Sequence, residues 1–527
     1  MRASYLALLR QSPSDHPDLA DRIRARTGAG RPLRISFESE RALVVTCKDQ
    51  ALLAGPCGII VGALFRRGEG KPVRRLESSA WARFAHSNGS SLVEGYWGSY
   101  VAILVDEARE QTIVLRAPFG ELPCLLVQRG RSAVAASSVD LLQRLAGYRP
   151  TIAWDAVRRH LAVRDIRFRE TCLEDVQELH GGERLRLGRN HALDSAWTPW
   201  TFTERTAQIC DEQAAVDAVR AATLESVGAR ASEFGHLVLM LSGGVDSSVV
   251  AASLAHQGCS FDCLTLTTRD PLGDERAYAA PVSAAVGRKL HVSLRDVERV
   301  NIGLSEAAGL PRPAARAFAQ ESARAASELA AETGARAIVT GGGGDNVFCS
   351  LQSGAPVADH LLVGGPRPGV WATSKQVAQV ASASLPAVWM DALRRAWFGK
   401  RSSPRPCNGY LLCSRAVDAA ANGPVHPWLD PPGSLLPGKA GHVRLLAYAL
   451  GYVESLHARE GVAAIAPLLG QPLVEACLRI PTWLWFDTGH NRSIVRRAFA
   501  GELPPEVVNR RSKGSPESFV AKVFNRH

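Results

Sequence analysis

The stretch GHLVLMLSGGVDSSVVAASLAHQG, residues 235–258, decides the fold of the longer part of this chain. Residues 236–241 form an apolar run typical of a buried strand, and the Ala- and Val-rich run after Ser248 has helical spacing. Between them, SGGVDS supplies glycines that let backbone N–H groups close around an anion at the start of a helix. The pattern predicts a strand, a phosphate-binding turn and a helix, although the lysine of the common loop G-x-x-x-x-G-K-[ST] is missing.

A second strand end of the same kind follows in ARAIVTGGGGDNVF, residues 335–348, where an apolar run leads to glycines and Asp345. In an open α/β sheet, ligands bind beyond the carboxyl ends of the strands, so we expect Asp246 and Asp345 on one edge. A carboxylate beside phosphates requires a cation between them, and Mg²⁺ prefers a few carboxylates plus phosphate oxygens. The pair predicts a site for ATP and Mg²⁺. The alternative is two tight turns, with Asp246 as a helix cap.

The residues predicted to bind the nucleotide lie in these two strand ends and in the strand after the first loop. That strand is LTLTTRD, residues 264–270, which we expect to line adenine and ribose unless it is a plain buried strand. The predicted nucleotide set is Leu241, Ser242, Gly243, Gly244, Asp246, Ser247, Ser248, Thr267, Gly343 and Gly344, and the predicted metal ligands are Asp246 and Asp345.

The 527 residues are too many for one core, so we expect two domains, residues 1–205 and 206–527. The first part contains short apolar runs broken by turns, such as SYVAILVDE at 99–107, and is predicted to be β-rich. From about residue 212, strands alternate with helices, which is typical of a parallel α/β sheet. Residues 352–445, rich in Pro, Gly, Ser and Ala, predict no definite element and are a candidate surface for a peptide or partner.

Composition narrows the class of protein. Apolar residues make up 46% and charged residues 21%, as in ordinary soluble proteins. The net charge of +11 fits an arginine-rich surface or an anionic partner, but no basic run with interleaved aromatics indicates nucleic acid. Eleven cysteines without a C-x-x-C pair argue against structural zinc and a disulfide framework. No signal peptide or membrane span is predicted, so we expect a cytoplasmic protein.

Several motifs resemble one enzyme family. SGGVDSS resembles the pyrophosphate loop of the ATP pyrophosphatase superfamily, and PFGELPCLLV at 118–127 is similar to the glutaminase-type domain of asparagine synthetases. APLLGQPLVEACLRIP at 466–481 looks like the C-terminal part of the same enzymes. TGGGGDNVF and RRSKGSPESF are most similar to lasso-peptide cyclases, the asparagine synthetase-like macrolactam synthetases. The resemblance covers nearly the whole chain.

The resemblance implies a two-domain protein of α/β and α+β class. Its N-terminal domain is expected to be a glutaminase-like (Ntn-type) β-sandwich. Its C-terminal domain is expected to be a doubly wound parallel α/β ATP pyrophosphatase domain with a helical C-terminal part. The activity implied is cleavage of ATP between the α and β phosphates, with adenylation of a carbonyl oxygen.

Two departures from the family pattern concern the amine that accepts the activated acyl group. Glutamine-dependent members use a cysteine exposed at the N-terminus after Met removal, but this sequence begins Met1-Arg2-Ala3 and its nearest cysteine is Cys47. We therefore expect no glutaminase activity and an amine already present in the substrate. Asparagine synthetases carry Glu, and β-lactam synthetases Tyr, where this chain has Gly342. The glycine is expected to open space for a peptide.

The resemblance also implies catalytic residues near the C-terminus. Lys513 in RRSKGSP matches a lysine that meets the phosphates and the developing charge, and Arg492 matches a cationic position in the preceding helix. A disordered basic tail is the alternative for Lys513. Glu454 and His457 lie three positions apart and could supply a base, with a solvated helix pair as the alternative. Further candidates for the base are Asp359, His360 and Tyr452.

The expected function is ATP-dependent macrolactam formation in a ribosomal lasso-type peptide. The enzyme would adenylate the side-chain carboxylate of an Asp or Glu, and the peptide α-amine would displace AMP. Expected partners are a leader-free precursor peptide, a leader-binding protein and a leader peptidase, without nucleic acid or membrane. One alternative is a small-molecule amide or β-lactam synthetase that uses an internal amine. The other is a catalytically inactive peptide-binding scaffold.

Overall fold

The structure of the protein is a computed structural model. It describes residues 3–27, 32–48, 50–163, 165–189, 191–304, 309–313, 317–399, 412–421, 423, 426–433, 435–453, 462–511 and 517–526. The chain divides into two compact units. The first unit contains Met1–Thr198, Ala307–Ala314 and Arg405–His426, and the second contains Pro199–Glu306, Ala315–Pro404 and Pro427–His527. The domain ranges 1–205 and 206–527 stay predictions.

Twelve of the described strands belong to the first unit. They are β1 (Tyr5–Leu9), β2 (Leu33–Glu38), β3 (Ala42–Cys47), β4 (Leu52–Gly55), β5 (Gly58–Arg66), β6 (Tyr96–Asp106), β7 (Gln111–Arg116), β8 (Leu125–Arg129), β9 (Ser132–Ala136), β10 (Val176–Glu178), β11 (Glu183–Leu187) and β12 (Ala192–Ser195). They form two six-stranded sheets, ordered β10-β8-β9-β1-β3-β2 and β12-β11-β7-β6-β5-β4. Neighbouring strands in both sheets are antiparallel; β5 and β6, for example, pair Ile59 with Ile103.

The described part of the first unit contains six α-helices. They are α1 (Pro17–Ala25), α2 (Ser78–His86), α3 (Ser90–Gly95), α4 (Val139–Arg144), α5 (Trp154–Ala162) and, from a distant segment, the helix Ser414–Ala421. In chain order that last helix is α14.

The two sheets of the first unit pack face to face. Alternate residues of their strands, such as Ala7, Val44 and Ile103, share one buried cluster. Residues of opposite parity, such as Leu8, pack with Ile23 of α1 on the outer face of the first sheet. Each such buried Val, Leu or Ile side chain contributes about 1.5–3 kcal/mol. The alternation therefore builds the sandwich that the sequence predicts, with helices outside the sheets.

Segment Ala307–Ala314 belongs to the first unit through Arg312. Its Nη1 forms an ion pair with the fully buried carboxylate of Glu178, which also pairs with Arg116 at 3.1 Å. Burial alone would raise the pKa of Glu178, but Arg167, Arg312 and Arg116 lower the pKa well below the usual range. A charged carboxylate in this core thus depends on an arginine that the chain supplies more than a hundred residues later.

The second unit is built on a parallel sheet. Its strands are β13 (His236–Met240), β14 (Ser260–Thr267), β15 (Leu290–Leu294), β16 (Ala337–Val339) and β17 (Ala463–Ile465), in the order β15-β14-β13-β16-β17. A separate two-stranded hairpin consists of β18 (Phe486–Asp487) and β19 (His490–Asn491). Strand order reverses at β13, with β14 on one side and β16 on the other. Such a switch point is where open α/β sheets bind ligands.

The helices of the second unit surround this sheet. They are α6 (Glu212–Ala231), α7 (Val245–His256), α8 (Arg276–Ala285), α9 (Gln320–Thr333), α10 (Gly344–Val347), α11 (Ala355–Gly364), α12 (Pro368–Val380), α13 (Leu385–Leu393), α15 (Pro437–Val453), α16 (Gln471–Arg479), α17 (Ser493–Ala498), α18 (Pro505–Val508) and α19 (Glu517–Arg526). No helix among the described residues is both long and apolar enough to cross a membrane.

Helices cover both faces of the parallel sheet. Val238 and Leu264 pack with Ala326 and Leu329 of α9 on one face. Leu237 and Leu239 have the opposite parity in β13 and are also buried, so the other face is covered too. The predicted α/β architecture with a helical C-terminal part is confirmed.

Helices α11, α12, α13 and α14 lie within residues 352–445, for which the sequence predicts no element, and α15 begins there. The first three each have a proline in the first turn: Pro356, Pro368 and Pro386. Proline is well tolerated there because the first N–H groups of a helix have no partner within it. The prolines that obscured this region in the sequence therefore mark the starts of its helices.

Candidate active site

The phosphate-loop sequence forms the turn between β13 and α7. Ser247 Oγ accepts a hydrogen bond from Ser242 N at 3.2 Å and donates one to Gly244 O at 3.2 Å. Ser242 Oγ lies 3.1 Å from Ser247 Oγ and accepts from Gly244 N at 3.3 Å. The two hydroxyl groups hold the turn in one shape at the N-terminus of a twelve-residue helix, where the helix dipole favours an anion.

Glycines allow two loops to approach each other closely. Gly243 has a φ of +64°, and a Cβ atom there would collide with Tyr278. A Cβ atom on Gly341 would lie 2.8 Å from Ser247 N, and one on Gly344 would collide with Asp246 Cγ. The loops that end β13 and β16 are therefore in direct contact, as the parallel sheet predicts.

Arg492 joins the two predicted metal ligands. Its Nη1 donates to Asp246 Oδ1 at 2.9 Å and to Asp345 Oδ1 at 2.5 Å. Burial alone would lower the pKa of Arg492, but the two carboxylates raise it, so the guanidinium stays charged. Arg492 precedes α17 in the left-handed conformation, with φ of 59°. The structure thus brings together Asp246, Asp345 and Arg492, three residues that are distant in the sequence.

The donor set at this position fits Mg²⁺. Asp246 and Asp345 offer two carboxylates that share one cationic partner, and Mg²⁺ in nucleotide sites takes one or two carboxylates plus phosphate oxygens. Within the described ranges, no group of three or more His, Cys, Asp or Glu side chains could hold a metal by itself. A metal at this position would therefore complete its coordination with oxygen atoms of the nucleotide or of water.

Arg510 is a contact of the phosphate loop that the sequence analysis missed. Its Nη1 donates to Ser242 O at 3.4 Å and its Nη2 to Glu275 Oε1 at 2.8 Å. Its guanidinium lies 3.8 Å from the centre of the Tyr278 ring, a cation–π contact. Arg510 stands three positions before Lys513 in the basic stretch. This closeness in sequence to a predicted catalytic residue is the feature from which a role for Arg510 could have been predicted.

Some predicted nucleotide ligands are buried in the described structure. Ser248 is fully buried, and its N–H donates to Gly244 O at 3.1 Å. Leu241 is buried, and its N–H donates to Leu264 O at 2.8 Å. Thr267 ends β14 with a buried side chain, and its carbonyl oxygen accepts from Arg295 N at 2.9 Å. Gly343 has a φ of +83° at the start of α10. Roles for these four in nucleotide binding stay predictions.

Three predicted catalytic residues, Lys513, Glu454 and His457, lie outside the described residues. The other three candidate bases, Asp359, His360 and Tyr452, have structural partners. Asp359 is fully buried, and it accepts from Gly438 N at 2.6 Å and from Thr482 Oγ1 at 2.7 Å. Burial raises the pKa of Asp359 to about 6.

The other two candidate bases differ in their neighbours. His360 Nδ1 lies 2.9 Å from Thr373 Oγ1, and burial lowers the pKa of His360. Tyr452 donates its hydroxyl to Asn346 Oδ1 at 3.0 Å, and Asn346 directly follows Asp345. Among the described candidate bases, Tyr452 therefore forms a hydrogen bond to the residue next to the acid pair, which consists of Asp246 and Asp345.

The expectation that Gly342 opens space is wrong. A Cβ atom on Gly342 would lie 3.1 Å from Thr340 Oγ1, 3.3 Å from Val453 Cγ2 and 3.8 Å from Ala466 Cβ. The side-chain direction of Gly342 therefore faces neighbouring side chains instead of a cavity.

Comparison with known protein families finds a match for two parts of the chain. The sequence model of asparagine synthase matches residues 218–526, and that of the glutamine amidotransferase domain matches residues 81–198. No match was found among curated proteins.

Similar solved structures include an allosteric regulatory enzyme of purine biosynthesis and a glutamine phosphoribosylpyrophosphate amidotransferase from B. subtilis. Each is 9% identical with a TM-score of 0.22 and covers 56% of this chain, matching 80% and 81% of its own length. These scores are too low to support an argument. The asparagine synthase match alone covers more than half of the chain. This protein belongs to the asparagine synthase family, whose domain supports ATP-dependent amide-bond formation, and it joins that domain to an Ntn glutamine amidotransferase-like sandwich.

Proposed function

We propose that this protein is an ATP- and Mg²⁺-dependent macrolactam synthetase for a ribosomal lasso-type peptide. It adenylates the side-chain carboxylate of an Asp or Glu in the leader-free peptide and guides attack by the α-amine of the same peptide. One observation carries the ATP chemistry: Asp246 and Asp345, at the ends of neighbouring parallel strands, meet at Arg492 beside the SGG turn. The peptide substrate rests on the sequence resemblance.

In the first step, a carboxylate oxygen of the peptide attacks the α-phosphorus of ATP. The bond from the α-phosphorus to the bridging oxygen breaks, and pyrophosphate leaves. Asp246 and Asp345 would hold Mg²⁺, which supplies positive charge against the phosphates. The N–H groups that start α7 and the charged guanidinium of Arg492 add fixed positive potential on the same side. These groups stabilise the negative charge that develops on the departing pyrophosphate.

In the second step, the α-amine nitrogen attacks the acyl carbon of the adenylate. The acyl carbon–oxygen bond breaks, AMP leaves with that electron pair, and the amine nitrogen loses a proton. Lys513 is proposed to stabilise the tetrahedral intermediate, and Glu454 or His457 to accept the proton. Ring closure loses chain entropy, which the enzyme offsets by holding the peptide folded before the reaction.

We also infer that the first unit hydrolyses no glutamine. A nucleophilic thiol needs access and a lowered pKa, but Cys124 is fully buried and burial raises its pKa to about 11. Cys172 is also buried, with a raised pKa. The half-buried Cys47 and Cys57 lie within the chain, so neither has the free α-amine that glutamine-dependent members use beside the thiol. The proposed partners of the protein are the leader-free precursor peptide, a leader-binding protein and a leader peptidase.

ATP–pyrophosphate exchange and mass spectrometry test the proposal. We expect exchange that depends on leader-free peptide, and a product lighter than the peptide by one water. Exchange with small amino acids but with no peptide would favour a small-molecule synthetase, and no exchange with any substrate would refute the proposal. Release of ammonia from glutamine would contradict the inference about the first unit.

Asp246→Asn tests the role of the acid pair. The amide oxygen can still accept from Arg492, so the fold should persist, but one negative charge is lost. We expect exchange to fall by at least about 10²-fold, as for other electrostatic groups of active sites. Asp262→Asn is the matched control, because Asp262 lies in β14 beside His236, at 3.1 Å. Exchange by Asp246→Asn at the level of this control would remove the acid from the mechanism.

A further inference from the structure

Arg510 is held by three groups of different chemistry. Its side chain is 4% exposed, and it contacts the carbonyl oxygen of Ser242, the carboxylate of Glu275 and the ring of Tyr278. A hydrogen bond, an ion pair and a cation–π contact fix the guanidinium in one orientation. Such a site differs from the solvated arginines of a surface, whose ion pairs contribute little.

Two of these partners belong to the start of α8, next to the phosphate loop. Glu275 immediately precedes α8, and Tyr278 lies in its first turn. Tyr278 is so close to Gly243 that a Cβ atom on the glycine would collide with it. We call Arg510, Glu275 and Tyr278 the arginine brace. The brace contacts the loop at Ser242 O and at Gly243, through main-chain atoms.

Arg496 extends this connection to the acid pair. Its Nη2 donates to Arg510 O at 3.0 Å and its Nε to Asn491 O at 3.0 Å, and both Val507 O and Val508 O also accept from it. Burial, together with the charge of Arg492, lowers the pKa of Arg496 to about 10, so it remains charged at neutral pH. Asn491 precedes Arg492, which holds both acids. The phosphate loop and the acid pair are therefore linked through one continuous set of arginine contacts.

We propose that Arg510 is a positioning residue for the phosphates of ATP. It touches no reacting atom; it fixes the main chain of the SGG turn relative to the chain that leads to Lys513. The inference rests on the ATP chemistry of the proposed function, but not on the identity of the peptide. Because the brace acts on the loop and not on a nucleoside pocket, losing it weakens binding of phosphate groups selectively.

The test compares Arg510→Met with Arg288→Met. Arg288 is a matched control: it lies 5.0 Å from the Phe261 ring centre and donates to Cys259 O at 2.8 Å, at the amino ends of β14 and β15. Calorimetric titrations of the full chain use Mg·ATP, magnesium pyrophosphate and adenosine as ligands. We expect Arg510→Met to weaken ATP and pyrophosphate binding about tenfold or more, with adenosine affinity within about twofold of the control. Equal weakening of all three ligands, or ATP binding like that of Arg288→Met, would overturn the proposal.

Two further variants keep the test decisive if Arg510→Met does not fold. Arg510→Lys keeps a charge over Tyr278 but cannot reach both oxygen partners in the same way, so we expect partial rescue. Glu275→Gln should weaken pyrophosphate binding less than Arg510→Met, and the double variant should be no weaker than Arg510→Met alone. Additive effects would mean that the two residues act separately. Wild-type protein that binds ATP but lacks peptide-dependent exchange would instead refute the macrolactam proposal and leave the brace intact.

Discussion

Replacing Arg492 by Met should make the stability of the second unit depend on a divalent cation. Arg492 Nη1 is the shared partner of Asp246 and Asp345, and without it two carboxylates face each other with less compensation. Residue 492 has a φ of 59°, and neither Arg nor Met has the conformational freedom of glycine there, so the substitution changes the charge without relieving the backbone. Magnesium can replace the lost positive charge, because two neighbouring carboxylates attract it more strongly once the guanidinium is gone.

The size of the effect follows from burial and distance. An ion pair about 4 Å apart contributes roughly 4 kcal/mol at an effective dielectric constant of about 20. Arg492 and Asp246 are largely buried, but Asp345 is 41% exposed and its pair is screened by solvent. We therefore expect the free energy of unfolding to fall by about 2–3 kcal/mol in EDTA. At about 2–4 °C per kcal/mol, the melting temperature should fall by roughly 5–10 °C.

Differential scanning fluorimetry in EDTA and in Mg²⁺ measures this effect. The melting temperature of Arg492→Met should rise with Mg²⁺ more than that of the wild type, since a ligand bound only by the folded state stabilises it. Manganese titration followed by electron paramagnetic resonance should show tighter binding to the variant without nucleotide. Arg220→Met is the control: Arg220 pairs with Glu502 and stacks over Phe499, away from the acid pair. A variant whose stability and manganese affinity match the wild type would refute the bridging role of Arg492.

Two further predictions concern the loops and a buried acid. Gly344→Ala should weaken Mg·ATP binding and cost about 1–3 kcal/mol of stability, because its Cβ collides with Asp246 Cγ; unchanged titration and melting curves would contradict the close approach. Asp359 has a pKa raised from 3.8 to about 6, so the folded state binds more protons between these values and loses stability as pH rises through them. The loss should total about 3 kcal/mol. Asp359→Asn should remove that slope in urea unfolding, and a retained slope would assign it to another group.

The parts of the site that follow a recognisable local sequence pattern could be predicted from the sequence. The SGG turn and the Gly/Asp strand end follow apolar runs, and parallel strands bring their carboxyl ends to one edge, so Asp246 and Asp345 could be paired. Arg492 was predicted as cationic, but its two carboxylate partners depend on how α17 packs, which no short pattern records. Arg510 was missed because its partners, Ser242 O and Tyr278, lie over two hundred positions away.

Two misreadings have physical causes. The Pro, Gly, Ser and Ala content of residues 352–445 predicts no definite element, yet Pro356, Pro368 and Pro386 lie in the first turns of helices, where a missing N–H is harmless. Gly342 was taken to open space because a side chain is absent there. Space depends on the neighbours, and Val453 and Thr340 already fill the direction in which a side chain would point.

The path of the chain limits how this protein can be shortened. Arg312 is encoded in the second half of the gene product but is neutralised by Glu178, within Met1–Thr198. Removing those residues would also remove the surroundings in which Arg312 is buried, because its second partner, the carbonyl oxygen of Phe168, lies there too. A truncation at residue 198 therefore strands a segment of the first unit, Ala307–Ala314, within the chain of the second.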